Sequence, residues 1–131
     1  MSGRLVYLDS SAILKALLVE EGSVQLLALL RAWPERVSSA LARVEVRRAL
    51  RRAAPPVPAV AVERGERLLE RITLIRVDDT ILNAPAAVEP LTLRSLDAIN
   101  LATALSVAGD LQALITYDRG LAAAAALAGL T

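Results

Sequence analysis

Cysteine, histidine and phenylalanine are all missing from these 131 residues, which contain one tryptophan and two tyrosines. Without cysteine there can be no disulfide, no thiol nucleophile and no thiolate-ligated zinc. Without histidine there can be no Ser-His-Asp triad and no imidazole general acid or base. With so few aromatics the core has to be packed by Ala, Leu and Val. The chain has no uninterrupted apolar run of about 18 residues, the length that marks a membrane span. Its start, Met1 to Leu8, carries one Arg and runs straight into a strand-like segment, without the sections of a signal peptide. These features lead us to expect a cytoplasmic protein, and the length suits one domain over residues 1–131. Charge is nearly balanced, with 15 basic and 14 acidic side chains, so the net field says little about partners.

Polar chemistry must therefore come from carboxylates, hydroxyls, amides, arginines and the only lysine, Lys15. Carboxylate oxygens are hard ligands and favour Mg2+ or Mn2+ over softer metals. The arginines are concentrated at Arg43, Arg47, Arg48, Arg51 and Arg52. Arginine binds phosphate through a bidentate fork.

Apolar strand-like segments alternate with helical ones. Leu5 to Leu8 reads as a buried strand, with Ser10 or Ser11 capping a helix from Ala12 to Glu20. A second helix is predicted from Ser23 to Trp33, ended by Pro34. Val37-Ser38 is at most a short strand, and Ser39 caps a long helix from Ala40 to Ala53. After a Pro-rich turn, helical spacing returns from Val60 to Ile72, followed by a strand from Thr73 to Val77. Asp78 or Asp79 caps a helix over Thr80 to Val88, and Ser95 caps another from Leu96 to Ala108. Leu111 to Tyr117 is a strongly apolar strand, and Arg119 to Ala128 is a final Ala-rich helix. This alternation predicts an α/β fold: a three-layer α/β/α sandwich around a parallel sheet of four to five strands.

Four acids stand out by position. Asp9 and Asp118 directly follow the first and last strands, and open α/β sheets bind ligands beyond their strand ends. If those two strands are neighbours, the carboxylates share one rim. Asp97 lies in the first turn of a mostly apolar helix, and Glu45 lies between Val44 and Val46. Acids among apolar neighbours are costly unless paired or bound to a cation. Gathered in one pocket they would repel one another, and a divalent ion would remove that cost. Each also has a plain reading: Asp9 and Asp118 as helix caps, Asp97 as a charge favoured at a helix N-terminus, Glu45 as an ion-pair partner of Arg48. Asp78 and Asp79 read as a cap, Glu20-Glu21 as a solvated face, and Trp33 as a core or interface anchor.

Four segments together resemble the PIN-domain proteins of the VapC toxin family. They are Tyr7-Leu8-Asp9-Ser10-Ser11-Ala12-Ile13-Leu14-Lys15, Ser39-Ala40-Leu41-Ala42-Arg43-Val44-Glu45-Val46, Leu93-Arg94-Ser95-Leu96-Asp97-Ala98-Ile99-Asn100-Leu101-Ala102-Thr103-Ala104, and Ile115-Thr116-Tyr117-Asp118-Arg119-Gly120-Leu121. Asn100 stands where relatives often carry His, and the last edge strand of relatives is expected to be short or missing. The resemblance implies an endoribonuclease in which Asp9, Glu45, Asp97 and Asp118 hold one or two Mg2+ or Mn2+ ions, with Ser10 and Thr116 supplying orienting hydroxyls. It also implies an RNA substrate, a VapB-like antitoxin, a homodimer, and contact with DNA only through the antitoxin. Arg47, Arg48, Arg51 and Arg52 are candidates for touching RNA phosphates or an acidic antitoxin segment.

Other readings stay open from sequence alone. A PIN-fold nuclease of RNA processing would need no antitoxin, and a non-catalytic binding module would keep the fold and lose the chemistry. A phosphoacceptor receiver domain fits worst, because it needs an acidic pair after the first strand and a lysine on a late one.

Overall fold

The structure is a computed structural model and describes residues 5–18, 23–32, 35–53 and 55–130. The expectations for Glu20, Glu21, Trp33 and Pro34 fall outside these residues.

Four strands form one wholly parallel sheet: β1 (Leu5–Leu8), β2 (Arg36–Ser39), β3 (Thr73–Ile75) and β4 (Leu111–Ile115), in the order β3-β2-β1-β4. The inferred adjacency of the first and last strands holds, with Tyr7 beside Leu114 and Leu8 beside Ile115. No strand follows β4 among the described residues.

Among the described residues seven α-helices accompany the sheet: α1 (Ser10–Leu17), α2 (Ser23–Ala32), α3 (Ala42–Arg52), α4 (Ala59–Arg71), α5 (Asp79–Asn83), α6 (Ser95–Leu105) and α7 (Arg119–Leu127). Side chains alternate across a strand, so β1 feeds both faces. Val6 and Leu8 join Ile13, Leu17, Leu26, Val46, Leu50 and Leu69 from α1 to α4. Tyr7 joins Leu101, Ala104, Leu121 and Ala124 from α6 and α7 on the other side. The result is the expected three-layer α/β/α sandwich. Gly65 matters to the first layer: a Cβ there would come within 2.9 Å of Leu50 Cδ1, so its absence lets α4 sit close to α3. Among the described residues no helix is long and apolar enough to cross a membrane.

Several boundaries differ from expectation. The first helix is capped by Asp9, not by Ser10 or Ser11: Asp9 Oδ1 accepts from the Ala12 amide at 3.0 Å. Asp9 is the first non-helical residue after the strand, which leaves both serines inside the helix. Ser39 completes β2 and does not cap α3, although its hydroxyl accepts from the Leu41 amide at 3.1 Å. Ser95 is the first helical residue of α6 and makes no cap, because Arg94 takes the cap position. The helix expected over Thr80 to Val88 shortens to α5, then tightens into a 3-10 turn at Ala84–Ala87 with Pro85 near its start. Asp78 caps α5 as expected, its Oδ1 accepting from the Ile81 amide.

Candidate active site

The chain runs from β1 to β2 to β3 in one direction across the sheet, then returns to place β4 on the far side of β1. The helices leaving β1 and β4 consequently pack on opposite faces, α1 with one core layer and α7 with the other. A crevice opens between two such strand ends, the usual ligand position in a sheet of this kind.

Asp9 and Asp118 stand at the two lips of that crevice, and each is the N-cap of the helix that follows. Capping and site placement are thus the same feature. Asp118 Oδ1 accepts from the Leu121 amide at 3.0 Å, as Asp9 Oδ1 does from Ala12. One oxygen of each carboxylate is fixed by a helix N-terminus, and the other is met by a side chain from elsewhere in the chain, Thr116 for Asp9 and Arg94 for Asp118.

Hydroxyls tie the lips together. Ser11 Oγ donates to Asp9 Oδ1 at 2.6 Å and accepts from the Tyr117 amide at 2.9 Å. Thr116 Oγ1 donates to Asp9 Oδ2 at 2.5 Å and accepts from the Asp118 amide at 3.0 Å. Thr116 is where the sequence put it. The second hydroxyl on Asp9 is Ser11, which sequence reasoning treated only as a possible cap. Ser10 instead lines the same cleft as Glu45 and favours that acid's charged form. A serine two residues after a strand-ending Asp is the signal that would have found Ser11, since it faces back onto that carboxylate.

Glu45 and Asp97 arrive from helix N-termini, in the first turns of α3 and α6. All four acids line one open cleft of about 600 Å³, together with Arg48, Arg52 and Arg94. The sequence thus selected four acids that the fold brings to one cavity. The arginine cluster divides. Arg48 and Arg52 share the cleft with Glu45, whereas Arg47 pairs with Glu66 of α4 at 2.8 Å and Arg51 lines a separate small cavity beside that pair. Arg94, which sequence reasoning quoted but gave no role, bridges two of the acids. Its Nε meets Asp97 Oδ2 at 3.1 Å and its Nη2 meets Asp118 Oδ2 at 2.7 Å.

Burial pushes the Asp9 carboxyl above the usual carboxylate range, with hydrogen bonds from Ser11, Thr116 and Ala12 pulling the other way and the Asp118 charge adding to the rise. Burial also raises Glu45, opposed by hydrogen bonding from Asn100 and Ser10 and reinforced by the charges of Asp9 and Asp97. Behind Glu45, Tyr7 donates its hydroxyl to Asn100 Oδ1 at 2.7 Å, and Asn100 Nδ2 donates to the Leu96 carbonyl. Asn100 is therefore a buried bracket between β1 and α6.

The donor set suits a divalent cation. It is all oxygen, it is crowded with like charge, and Glu45 Oε1 is buried with no hydrogen-bond partner. A buried carboxylate oxygen left bare costs free energy that a cation would recover. As the side chains lie, no three acids among the described residues stand close enough to hold a metal. Two of the four are engaged by Arg94 instead.

Comparison with known proteins identifies the family and the fold. The sequence model of the family described as "PIN domain" matches residues 6–127. Ribonuclease VapC46 of Mycobacterium tuberculosis is 44% identical over 125 residues, covering 95% of this chain and 93% of the relative. Ribonuclease VapC35 of the same species is 38% identical, covering 92% and 90%. Among solved structures, the sarcin-ricin-loop-cleaving toxin VapC20 of M. tuberculosis superposes with a TM-score of 0.73 at 15% identity, covering 96% of each chain. A chain of a toxin-antitoxin complex from Klebsiella pneumoniae superposes with a TM-score of 0.65 at 23% identity, covering 86% of each. At those identities the structural matches establish the fold.

Proposed function

The chain belongs to the PIN domain family, and on that premise we propose that it is a metal-dependent endoribonuclease, the toxin of a VapBC-type pair, acting in the cytoplasm as one nuclease domain over residues 1–131. The observation that carries this reading is the cleft itself. Four carboxylates from four separate segments line it, and one of them keeps a buried oxygen without a partner. The naming of the 44% and 38% identical relatives as ribonucleases supports RNA as the substrate.

Asp9, Glu45, Asp97 and Asp118 are the residues that would hold Mg2+ or Mn2+. Such an ion, when bound, supplies a water of lowered pKa and neutralises charge on the phosphoryl oxygens. The chain's own residues do the rest. Asp9 is locked by Ser11, Thr116 and the Ala12 amide, so its free lone pairs point in a fixed direction. Arg48 and Arg52 line the same cleft and suit the RNA backbone phosphates. With no histidine to deprotonate a ribose 2′-hydroxyl, hydrolysis by water leaves a 5′-phosphate and a 3′-hydroxyl.

The antitoxin and a homodimeric assembly are part of the proposal, with DNA met only through the antitoxin. A groove between α1, α2 and α4 supports a protein partner. It is lined by Leu17, Leu27 and Leu30 together with Arg31, Arg64 and Arg67. That combination suits an amphipathic segment edged with acidic side chains.

The test is cleavage of a structured RNA by purified protein with Mg2+ or Mn2+ and with chelator. Cleavage should need the ion and vanish in Asp9→Asn and in Asp97→Asn. Cleavage that persists in both variants, with contaminating nucleases excluded, would end the proposal.

A further inference from the structure

Arg94 spans the gap between two of the four carboxylates. Asp97 belongs to α6 and Asp118 caps α7, so one guanidinium ties together acids from two helices. The side chain of Arg94 is 77% exposed, whereas Asp97 and Asp118 are 15% and 26% exposed. An exposed cation thus reaches down onto two sheltered anions. The oxygens it takes are the Oδ2 atoms, and for Asp118 that is the oxygen its helix cap leaves free. Asp9 is satisfied differently, by two hydroxyls and an amide, and Glu45 Oε1 is not satisfied at all. With this fork in place, no three acids among the described residues stand close enough to hold a metal.

Resting on the cation-site reading above, we infer that Arg94 is a positioning residue that stands in for the divalent ion at Asp97 and Asp118 and must release both carboxylates when the ion binds. Two positive groups cannot share the same two oxygens without repulsion. The exchange is feasible because ion pairs made by an exposed arginine are weak. Once released, the fork remains at the rim of the cleft beside Arg48 and Arg52, where its planar donors match a phosphate.

The test needs no RNA. Mn2+ is titrated calorimetrically into the wild-type protein, Arg94→Ala, Arg94→Gln and Glu45→Gln, and free Mn2+ is counted by electron paramagnetic resonance. Both Arg94 variants should bind Mn2+ about three- to tenfold tighter than wild type, since no guanidinium has to be displaced. They should also melt at a lower temperature than wild type without the ion, with the difference closing at saturation. Glu45→Gln keeps Arg94 and should bind more weakly. Equal or weaker Mn2+ binding by both Arg94 variants, with Glu45→Gln still impaired, would overturn the role of Arg94 and leave the cation site standing. Absence of binding in all four proteins would remove the site, and the role of Arg94 with it.

Discussion

The Thr116 hydroxyl donates to Oδ2 of Asp9 at 2.5 Å, joining residues 107 positions apart in the chain. The same hydroxyl oxygen accepts from the Asp118 amide, so one side chain sets the separation of two site acids. Thr116→Val keeps the shape and removes both bonds. It should cost about 1–3 kcal/mol of stability, because a buried carboxylate loses a donor. RNA cleavage should fall about ten- to a hundredfold from misplacement of Asp9. Thr116→Ser restores the hydroxyl and should recover most of both losses. Urea unfolding and single-turnover cleavage would measure them, and full activity in Thr116→Val would contradict the assigned role.

Stability should depend on pH in a direction set by Asp9 and Glu45. Both carboxyls are raised in the folded protein, chiefly by burial. The fold therefore favours their protonated forms. That contribution is fully present below the ordinary carboxylate value of about 4 and is lost as pH climbs through the raised folded values. In chelator, melting temperature should fall across that interval, and Asp9→Asn or Glu45→Gln should flatten the fall. Saturating Mg2+ binds the charged forms and should restore stability by mass action, most strongly at the higher pH. An ion-free profile that is flat, or that rises with pH there, would refute the electrostatic description of the cleft.

Arg48 and Arg52 should differ from Arg47 in their effect on RNA. The first two line the cleft, and the third is taken by Glu66. Arg48→Glu with Arg52→Glu should weaken RNA binding and reduce the slope of log affinity against log salt by about 1 for each phosphate that is no longer neutralised. Arg47→Glu should leave that slope unchanged and cost stability, since it places like charges together on α3 and α4. Fluorescence anisotropy over a salt series, in the Asp9→Asn background expected not to cleave, separates the two outcomes. An unchanged slope in the double variant would remove these arginines from the RNA path.

Tyr7→Phe tests the support behind Glu45. The ring stays in the core, but Asn100 Oδ1 loses its buried donor. The expected cost is about 1–3 kcal/mol of stability. Cleavage should fall less than in Asp9→Asn, because Asn100 keeps its bond to the Leu96 carbonyl. Denaturant unfolding beside a cleavage assay checks both. No stability change would mean that the hydroxyl is dispensable.

The end of the first strand was legible because its apolar run, Leu5–Leu8, stops at the single acid Asp9. The last strand, expected to run to Tyr117 with Asp118 directly after it, instead ends at Ile115, while alternation with helices correctly indicated a parallel sheet. Helical spacing likewise put Glu45, Arg48 and Arg52 on one stripe, although the five clustered arginines hid that division. Cap assignment was less legible. Asp9, Ser10 and Ser11 are all good caps, and only the point where β1 ends decides among them. Arg94 was invisible for a different reason: its link to Asp118 spans 24 residues and exists only once α6 and α7 pack. The local hint was its spacing of three from Asp97.

The parallel pairing of β1 with β4 has a consequence for synthesis. Asp9 is translated about a hundred residues before Thr116 and Asp118, and the pairing of β1 with β4 brings them together. Chains truncated before Leu111 should neither cleave RNA nor melt cooperatively. A cleft built across β1 and β4 is incomplete until both strands have been translated, so Asp9 is without the Thr116 hydroxyl until Leu111–Ile115 has joined the sheet.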